Sequence, residues 1–391
     1  MFARTDNTMR RLSAMALAAV LVIAGVAVPV TAATSDVQSD GCEFPHSTTD
    51  ATGTEVRVDE VPDRVVALQP SDAQTMWEIG ARDQVVGLPQ NANTAYLNDT
   101  GNRTDVTNDD GTTDVEAVVG ANPDLVLAAN ATRSDTVQQL RNTGLTVYHF
   151  PLATDLDDIA NNTETVGRLT GNCEGATDTV AEMDERVEAV REVVSDRDRP
   201  RVLYYFYQYT TGNETHIHDL IETAGGQNVA ADAGLSGYQP INAEVVADSD
   251  PQWLVYPSDA SQPTGAPYNE TTAVQREQVL SVDANYVSQP APRVVLALEA
   301  MAEAFHPAAF ETATASETPE TVTTTEPTES ATPDTVTESV TPDTVTESAT
   351  PDVVTERGTG TTDGSGPGFG LVGTALALVA TLALGVRRKG S

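Results

Sequence analysis

The stretch ATDTVAEMDERVEAVREVVSD, residues 176–196, lies near the middle of the chain and decides the fold. Its apolar residues recur at helical spacing, with Glu, Asp and Arg between them. They are Val180, Met183, Val187, Val190 and Val194. This pattern predicts one long amphipathic helix. Gly171 is suited to end the helix before it, and Pro200 precedes the next apolar run.

Short apolar runs rich in β-branched residues lie on both sides of this helix and alternate with helical patterns. The runs are residues 64–68, 85–88, 125–127, 147–148, 202–205 and 253–256. Such alternation predicts parallel sheets covered by helices. We therefore predict an α/β protein of two lobes, with parallel sheets flanked by helices and one long central helix as the bridge.

A short pattern occurs once in each half of the chain. Glu116 opens a brief helical stretch that is followed by Pro123 and an apolar run, and Glu244 opens a similar stretch followed by Pro251. The pattern favours two related lobes with a cleft between them, where ligands commonly bind. Because the pattern is short, chance similarity is the alternative.

The composition limits the classes of partner. The chain has 391 residues, with 58 acidic against 21 basic residues and a net charge of -37. This sign excludes nucleic acids as partners, because they need a basic surface. So acidic a surface is typical of proteins kept soluble in concentrated salt, which favours a halophilic origin.

The chain shows no convincing catalytic constellation, since GxSxG, HExxH, P-loop and CxxC motifs are all absent. We therefore predict a protein that is not an enzyme and has no metal site. His216, His218 and Asp219 could ligate a metal, but residues two apart diverge on a helix. A polar helix start is the preferred interpretation of these residues.

The two ends of the chain are predicted to lie outside the fold. Arg10 and Arg11, the apolar run 14–28 and the small residues 31–33 predict a signal peptide over 1–33, with an uncleaved anchor as the alternative. The apolar run 369–386 is followed by three basic residues, which predicts a membrane span with the preceding chain outside the cell.

Residues 311–366 consist almost wholly of Thr, Ser, Glu, Asp, Pro, Ala and Val, and part of them repeats every nine residues. Such a segment buries too little apolar area to fold, so we predict an extended stalk that carries O-linked sugars, or else a plain linker. Six sequons predict N-linked sugars in the chain before it. They lie at Asn98, Asn102, Asn130, Asn161, Asn213 and Asn269.

Candidate functional residues lie in the predicted core, residues 42–310. In an exported protein a disulfide between Cys42 and Cys173 is favoured over two free thiols. Ser71 is predicted as an N-cap that places Asp72 at the cleft edge. Four tyrosines in polar loops combine apolar area with a hydroxyl, which suits a large, partly polar ligand. They are Tyr96, Tyr209, Tyr238 and Tyr286.

Several motifs resemble those of the substrate-binding proteins of ABC importers for cobalamin and ferric siderophores. They are RVVALQPS at 64–71, EIGA at 78–81 with VVG at 85–87, VEA at 115–117 with NPDLV at 122–126, LIETAGGQNV at 220–229 and SQPAPRV at 288–294. The tail 367–391, beginning Pro-Gly-Phe, resembles the PGF-CTERM sorting signal of archaeal surface proteins. That likeness implies a lipid anchor at the outer face of the cell membrane, with a retained transmembrane anchor as the alternative.

The resemblance implies an N lobe over 56–172, a bridging helix over 174–198 and a C lobe over 200–310. It implies that the chain delivers cobalamin to a permease dimer with two ATPase subunits, and that Glu116 and Glu244 pair with permease arginines. The implied ligand contacts are Pro70, Ser71, Asp72, Tyr96, Tyr209, Tyr238, Tyr286 and Arg293.

The ligand class is left open by one stretch of sequence. The polar stretch 102–114 lacks a tryptophan that some cobalamin binders carry, which leaves a ferric siderophore or haem as the alternative cargo. A surface enzyme or adhesin on the same anchor is the alternative class of protein.

Overall fold

The computed structural model describes residues 42–316. The predicted signal peptide, the C-terminal anchor and the stalk from residue 317 onward lie outside the described residues. Within the described part of the chain, no helix combines the length and the apolar character needed to cross a membrane.

The N lobe is built on a parallel sheet of five strands. An antiparallel hairpin precedes it, formed by β1 (His46–Thr49) and β2 (Glu55–Val58). The strands of the sheet are β3 (Val65–Ala67), β4 (Val85–Leu88), β5 (Thr104–Asp105), β6 (Leu125–Ala128) and β7 (Val147–His149). Their spatial order is β5-β4-β3-β6-β7. The connecting helices are α1 (Pro70–Glu78), α2 (Val115–Gly120) and α3 (Ser134–Asn142).

The C lobe repeats this plan with a parallel sheet of four strands. The strands are β8 (Arg201–Tyr204), β10 (Gln227–Asn228), β12 (Trp253–Pro257) and β13 (Val279–Val282), and a separate antiparallel pair is formed by β9 (Tyr209–Thr211) and β11 (Tyr238–Pro240). The sheet order is β10-β8-β12-β13. The helices of this lobe are α6 (His216–Thr223), α7 (Val229–Asp232), α8 (Ala243–Ser249), α9 (Thr272–Gln275), α10 (Ala284–Val287), α11 (Val294–Phe305) and α12 (Pro307–Ser316).

The fold confirms the two-lobed α/β prediction, and each of the six predicted apolar runs overlaps a strand. The helix–proline–strand pattern occurs in both lobes, as α2 before β6 and α8 before β12. Helix α12 continues to Ser316, so the first residues of the predicted stalk are helical. The shorter strands were not predicted, because two or three mostly polar residues carry no alternating apolar pattern.

Two packed helices connect the lobes, α4 (Leu156–Thr170) and α5 (Cys173–Val194). The predicted long helix is α5, which ends four residues before the boundary at 198. The partner helix α4 was not predicted to take part in the bridge. Its residue Ile159 lies in the core of the C lobe, whereas Val166 and Leu169 lie in the core of the N lobe. A pair of helices resists bending more than a single helix would.

Close approaches fix the two bridging helices to each other and fix α5 to the N lobe. A Cβ atom on Gly167 would lie 2.4 Å from the Cβ of Ala176, and one on Gly175 would lie 2.2 Å from the carbonyl oxygen of Ile79. Neither site leaves room for a side chain. A disulfide joins Cys42 to Cys173 and thereby attaches the first described residue to the start of α5.

Candidate functional site

The candidate site is the cleft where loops from the two sheets meet. Tyr96 lies in the loop that follows β4 of the N lobe, and Tyr286 lies in α10, directly after β13 of the C lobe. Their rings meet edge to face with centroids 6.2 Å apart. The carboxyl ends of both parallel sheets therefore face one cleft, which is where ligands bind in α/β folds.

Buried glutamines connect the lobes at the base of this cleft. The Gln74 side-chain amide donates to the Tyr96 hydroxyl at 2.7 Å and to the Gln289 side-chain carbonyl at 3.2 Å. The Tyr96 hydroxyl donates to the same Gln289 carbonyl at 3.0 Å. Gln74 is fully buried and Gln289 is 6% exposed, so these bonds are shielded from competing water.

An ion pair completes this connection. The Arg293 guanidinium donates to Glu78 through Nε at 2.7 Å and lies 2.7 Å from it through Nη2. It also lies over the Tyr96 ring, 5.2 Å from the centroid. The Arg293 backbone N–H donates to the Gln74 side-chain carbonyl at 2.9 Å. We call Gln74, Glu78, Tyr96, Gln289 and Arg293 the interlobe brace.

Within the brace, Arg293 is already paired with Glu78, unlike an arginine whose charge is free to bind a ligand. Both side chains of its ion pair with Glu78 are only 27% exposed. The positive charge is therefore already neutralised at the base of the cleft. Burial raises the pKa of Tyr96 to about 12, so its hydroxyl stays protonated and can donate to Gln289.

A second aromatic group lies in the C lobe around Phe206. The rings of Tyr209 and Tyr238 each lie 5.9 Å from the Phe206 ring, and the Tyr204 ring lies 5.7 Å from it. Tyr209 and Tyr238 are partly buried against the C-lobe core. Burial raises the pKa of Tyr238 to about 12, so it remains a neutral phenol. The structure thus brings together two of the four predicted tyrosines here and the other two at the brace.

Two exposed apolar side chains follow strand ends in opposite lobes, and sequence reasoning did not select them. Leu152 follows β7 and is 48% exposed, and Tyr207 follows β8 and is 44% exposed. Tyr207 and Gln208 form a tight turn with φ values of 46° and 70°. Non-glycine residues in this region cost about 1–3 kcal/mol each, and such strain clusters at binding sites. The Tyr207 hydroxyl donates to the Asp259 carbonyl at 2.8 Å.

The start of α1 differs from its predicted arrangement. The prediction that Ser71 is the N-cap is wrong, because the helix begins at Pro70 and Gln69 is the N-cap. Asp72 was expected at the cleft edge, but it is 5% exposed and accepts from the backbone N–H groups of Gln69 at 3.1 Å and Ala129 at 3.0 Å. Asp72 thereby connects α1 to the end of β6. Pro70 is half-buried and Ser71 is 9% exposed.

Glu116 and Glu244 occupy matching places in the two lobes. Each lies exposed in the first turn of a short helix, α2 or α8. The side chains of Asp114 and Asn242 cap these helices by accepting backbone N–H groups at 3.0 and 2.9 Å. A crossover helix runs antiparallel to the following strand, so both first turns lie toward the carboxyl ends of the sheets. Both glutamates are therefore on the cleft side of their lobes.

The predicted histidine cluster at residues 216–219 forms the start of helix α6. The predicted polar helix start is confirmed, since Thr215 caps α6 and His216 is its first residue. A His216 ring nitrogen lies 3.0 Å from the carbonyl oxygen of Val287, and burial lowers the pKa of His216 to about 4. Within residues 42–316, no three His, Cys, Asp or Glu side chains group so that they could hold a metal ion.

Comparison with known proteins shows which family the chain resembles. The family model described as periplasmic binding protein matches residues 65–286. A cobalamin-binding protein of Halobacterium salinarum is 42% identical over 313 residues, covering 74% of this chain and 84% of its own length. A vitamin B12-binding protein of Vibrio parahaemolyticus is 24% identical over 256 residues, covering 63% of this chain and 90% of its own length.

Solved structures share the fold. The vitamin B12-binding protein BtuF of Vibrio cholerae matches with a TM-score of 0.56 and 23% identity, over 63% of this chain and 98% of its own. The haem-binding protein RhuT of Roseiflexus matches with a TM-score of 0.57 and 23% identity, over 63% of this chain and 99% of its own. At these identities the likeness concerns the fold alone.

Proposed function

The chain belongs to the periplasmic binding protein family, and we propose that it is the substrate-binding component of an ABC importer that binds cobalamin between its lobes. The observation that carries this proposal is the character of the cleft. Tyr96 and Tyr286 from opposite lobes meet there, and its arginine is already paired with Glu78. Leu152 and Tyr207, which follow strand ends of the two lobes, are exposed. A corrinoid presents a broad, largely uncharged ring system, which such a surface suits.

The relatives support the same cargo. The Halobacterium salinarum protein named for cobalamin binding is 42% identical over 74% of this chain. The alternative cargo, haem, has a specific observation in its favour, because a haem-binding protein shares the fold. Haem carries two carboxylates, and in this cleft the Arg293 charge is already paired. The balance therefore favours cobalamin over haem and over an anionic ferric siderophore.

We assign the ligand contacts to two levels of the cleft. Leu152 and Tyr207 would meet the ligand first, because both are exposed in the unliganded protein. Tyr96, Tyr238 and Tyr286 would form the deeper surface. Arg293 would act as a positioning residue that holds Tyr96, rather than as a contact. Pro70 and Ser71 would border the N-lobe side through the start of α1, and Tyr209 would support Tyr238 through Phe206.

Delivery would use the two exposed glutamates. Glu116 and Glu244 lie on the cleft side of separate lobes, so one permease dimer could meet both at once, with an arginine of each subunit opposite one glutamate. The N-terminal signal and C-terminal tail would place the protein at the outer face of the cell membrane, and the segment between would let the lobes reach the permease.

The ligand is tested by calorimetric titration of the secreted protein in molar salt. We expect saturable one-to-one binding of cobalamin at micromolar concentration or below, about -8 kcal/mol or stronger. Haem and a panel of ferric siderophores should give no saturable heat. Heat with a ferric chelate or haem and none with cobalamin would replace the cargo and keep the transport role.

Docking is tested by the double substitution Glu116→Arg with Glu244→Arg. We expect cellular cobalamin uptake to be lost while the affinity for cobalamin is unchanged, since neither glutamate is among the proposed ligand contacts. The matched control is Glu55→Arg with Glu192→Arg, two exposed glutamates elsewhere, which should leave uptake intact. Uptake that survives in the first variant would remove the docking assignment.

A further inference from the structure

A basic cavity lies on the side of the C lobe that faces away from the cleft. Its volume is about 380 Å³, and it is bordered by the segments that lead into β8, β12 and β13. It therefore lies at the amino ends of these strands, whereas the cleft lies at their carboxyl ends. Arg197, Arg199 and Arg276 line it, together with one acidic residue, Asp198, and with Trp253, Phe305 and His306. We call this cavity the arginine pocket.

Three arginines in one cavity are unusual in a chain with 21 basic against 58 acidic residues. A neighbouring cavity of about 340 Å³ shares Arg197 and Arg199 and adds Arg191. Arg199 is held in place by the Gly226 carbonyl at 2.7 Å and by Glu222. Within residues 42–316, Arg197 and Arg276 form no ion pair. Asp198 also lines the pocket, and the charge of Arg276 acts on Asp250, so the described chain offsets this positive charge only in part.

His306 lines the pocket, and its pKa responds to the charges of the arginines. It is 8% exposed, and a ring nitrogen lies 3.3 Å from the Gly225 carbonyl oxygen. Burial lowers the pKa of His306, and the positive charges of Arg197 and Arg199 lower it further. An anion bound among these arginines would reverse the second effect.

The last described helix, α12, begins at this pocket. Residues 307–309, the first of α12, line it, and α12 ends at Ser316. The sequence that follows, residues 317–356, contains ten acidic and no basic residues. We call it the acidic segment. Its first carboxylates, Glu317 and Glu320, follow the pocket-lining Ala309 by 8 and 11 positions. Such a tether raises their effective concentration at the pocket above that of free carboxylates.

We propose that the arginine pocket binds carboxylates of the acidic segment, within residues 317–329, in the same molecule. Guanidinium groups pair with carboxylates through two parallel hydrogen bonds, and Arg197 and Arg276 are the groups available. The pocket lies on the side of the C lobe opposite the cleft, so this contact would leave the cleft free for the ligand. The proposal does not depend on the identity of the cargo.

The test uses the full chain and follows the pKa of His306 by NMR over a series of KCl concentrations. In a variant with Glu317, Glu320, Glu326 and Glu329 changed to Gln, we expect this pKa to fall by about 0.5, because the nearby carboxylates are gone. The matched control changes Glu55, Glu60, Asp109 and Glu185, all exposed and elsewhere, to their amides. It should leave the pKa of His306 unchanged.

Amide hydrogen exchange provides a second readout that does not require His306 to titrate in the folded protein. We expect Arg197→Gln with Arg276→Gln to speed exchange across residues 317–329 about tenfold. Arg57→Gln with Arg133→Gln, exposed arginines of the N lobe, is the control and should have no effect.

Three outcomes would overturn the proposal. The first is an unchanged pKa of His306 together with unchanged exchange. The second is exchange that slows with rising protein concentration, which would mean that a second copy supplies the carboxylates. The third is a pKa shift on adding inorganic phosphate that is equally large with and without the four glutamates, which would make the pocket a site for small anions.

Discussion

The interlobe brace makes a quantitative prediction for Glu78→Gln. This change keeps the shape of the side chain and removes the charge that Arg293 faces at 2.7 Å. Exposed pairs contribute about 0–1 kcal/mol and breaking a buried pair costs about 3–5 kcal/mol. Both side chains here are 27% exposed. We therefore expect the free energy of unfolding to fall by about 2 kcal/mol, measured by urea denaturation.

The control is Arg57→Gln, which breaks an ion pair of the same 2.7 Å length whose side chains are 56% and 78% exposed. Its loss should cost under about 0.5 kcal/mol. If Glu78→Gln costs no more than this control, the brace does not stabilise the fold in the way its burial indicates.

The brace also separates positioning from ligand contact. If Arg293 acts through its pair with Glu78, then Glu78→Gln and Arg293→Gln should weaken cobalamin binding by similar small factors, about threefold. The double variant should be no worse than either single one. A loss of about 100-fold in Arg293→Gln with none in Glu78→Gln would refute this reasoning, because it would make Arg293 a direct contact.

Three further substitutions test other parts of the account. Burial raises the pKa of Asp72 to about 7 from its ordinary 3.8, so its contribution to stability is present at low pH and is lost as pH rises from about 4 to 7, by at most about 4 kcal/mol. The free energy of unfolding in urea should be lower at pH 8 than at pH 5 in the natural protein, and this difference should be absent in Asp72→Asn. The same pH difference in both proteins would contradict the prediction. Gly175→Ala should destabilise the protein by about 1–3 kcal/mol, because the new methyl group meets a backbone carbonyl, whereas Gly101→Ala has open space and should be neutral. Tyr207→Ala should weaken cobalamin binding about tenfold, and unchanged affinity would place Tyr207 outside the site.

The fold was largely predictable because its central features are encoded locally. The apolar spacing of α5 and the β-branched runs of β3, β6, β8 and β12 depend only on residues close in the chain. The second bridging helix, α4, was not recognised, because its apolar face is shared between two cores. Which core Ile159 or Val166 joins is decided by tertiary packing and not by their spacing.

The site was less predictable, because its central contacts join residues far apart in sequence. Gln74 and Gln289 are 215 positions apart, and nothing local marks either as a partner of the other. The N-cap of α1 was misassigned although a signal was present, since proline favours the first position of a helix and points to Gln69 as the cap. The turn at Tyr207 and Gln208 carries neither glycine nor asparagine, so the sequence gives no sign of its left-handed backbone.

The central claim is that the cleft between the lobes is the cobalamin site. A crystal structure of the full chain with cobalamin tests this most directly. We expect the corrin ring between the lobes, in contact with Tyr207 and Leu152 at the rim and with Tyr96 or Tyr286 below, and the Arg293–Glu78 pair intact. Cobalamin bound anywhere outside the cleft, or an Arg293 released from Glu78 to contact the ligand, would contradict the account.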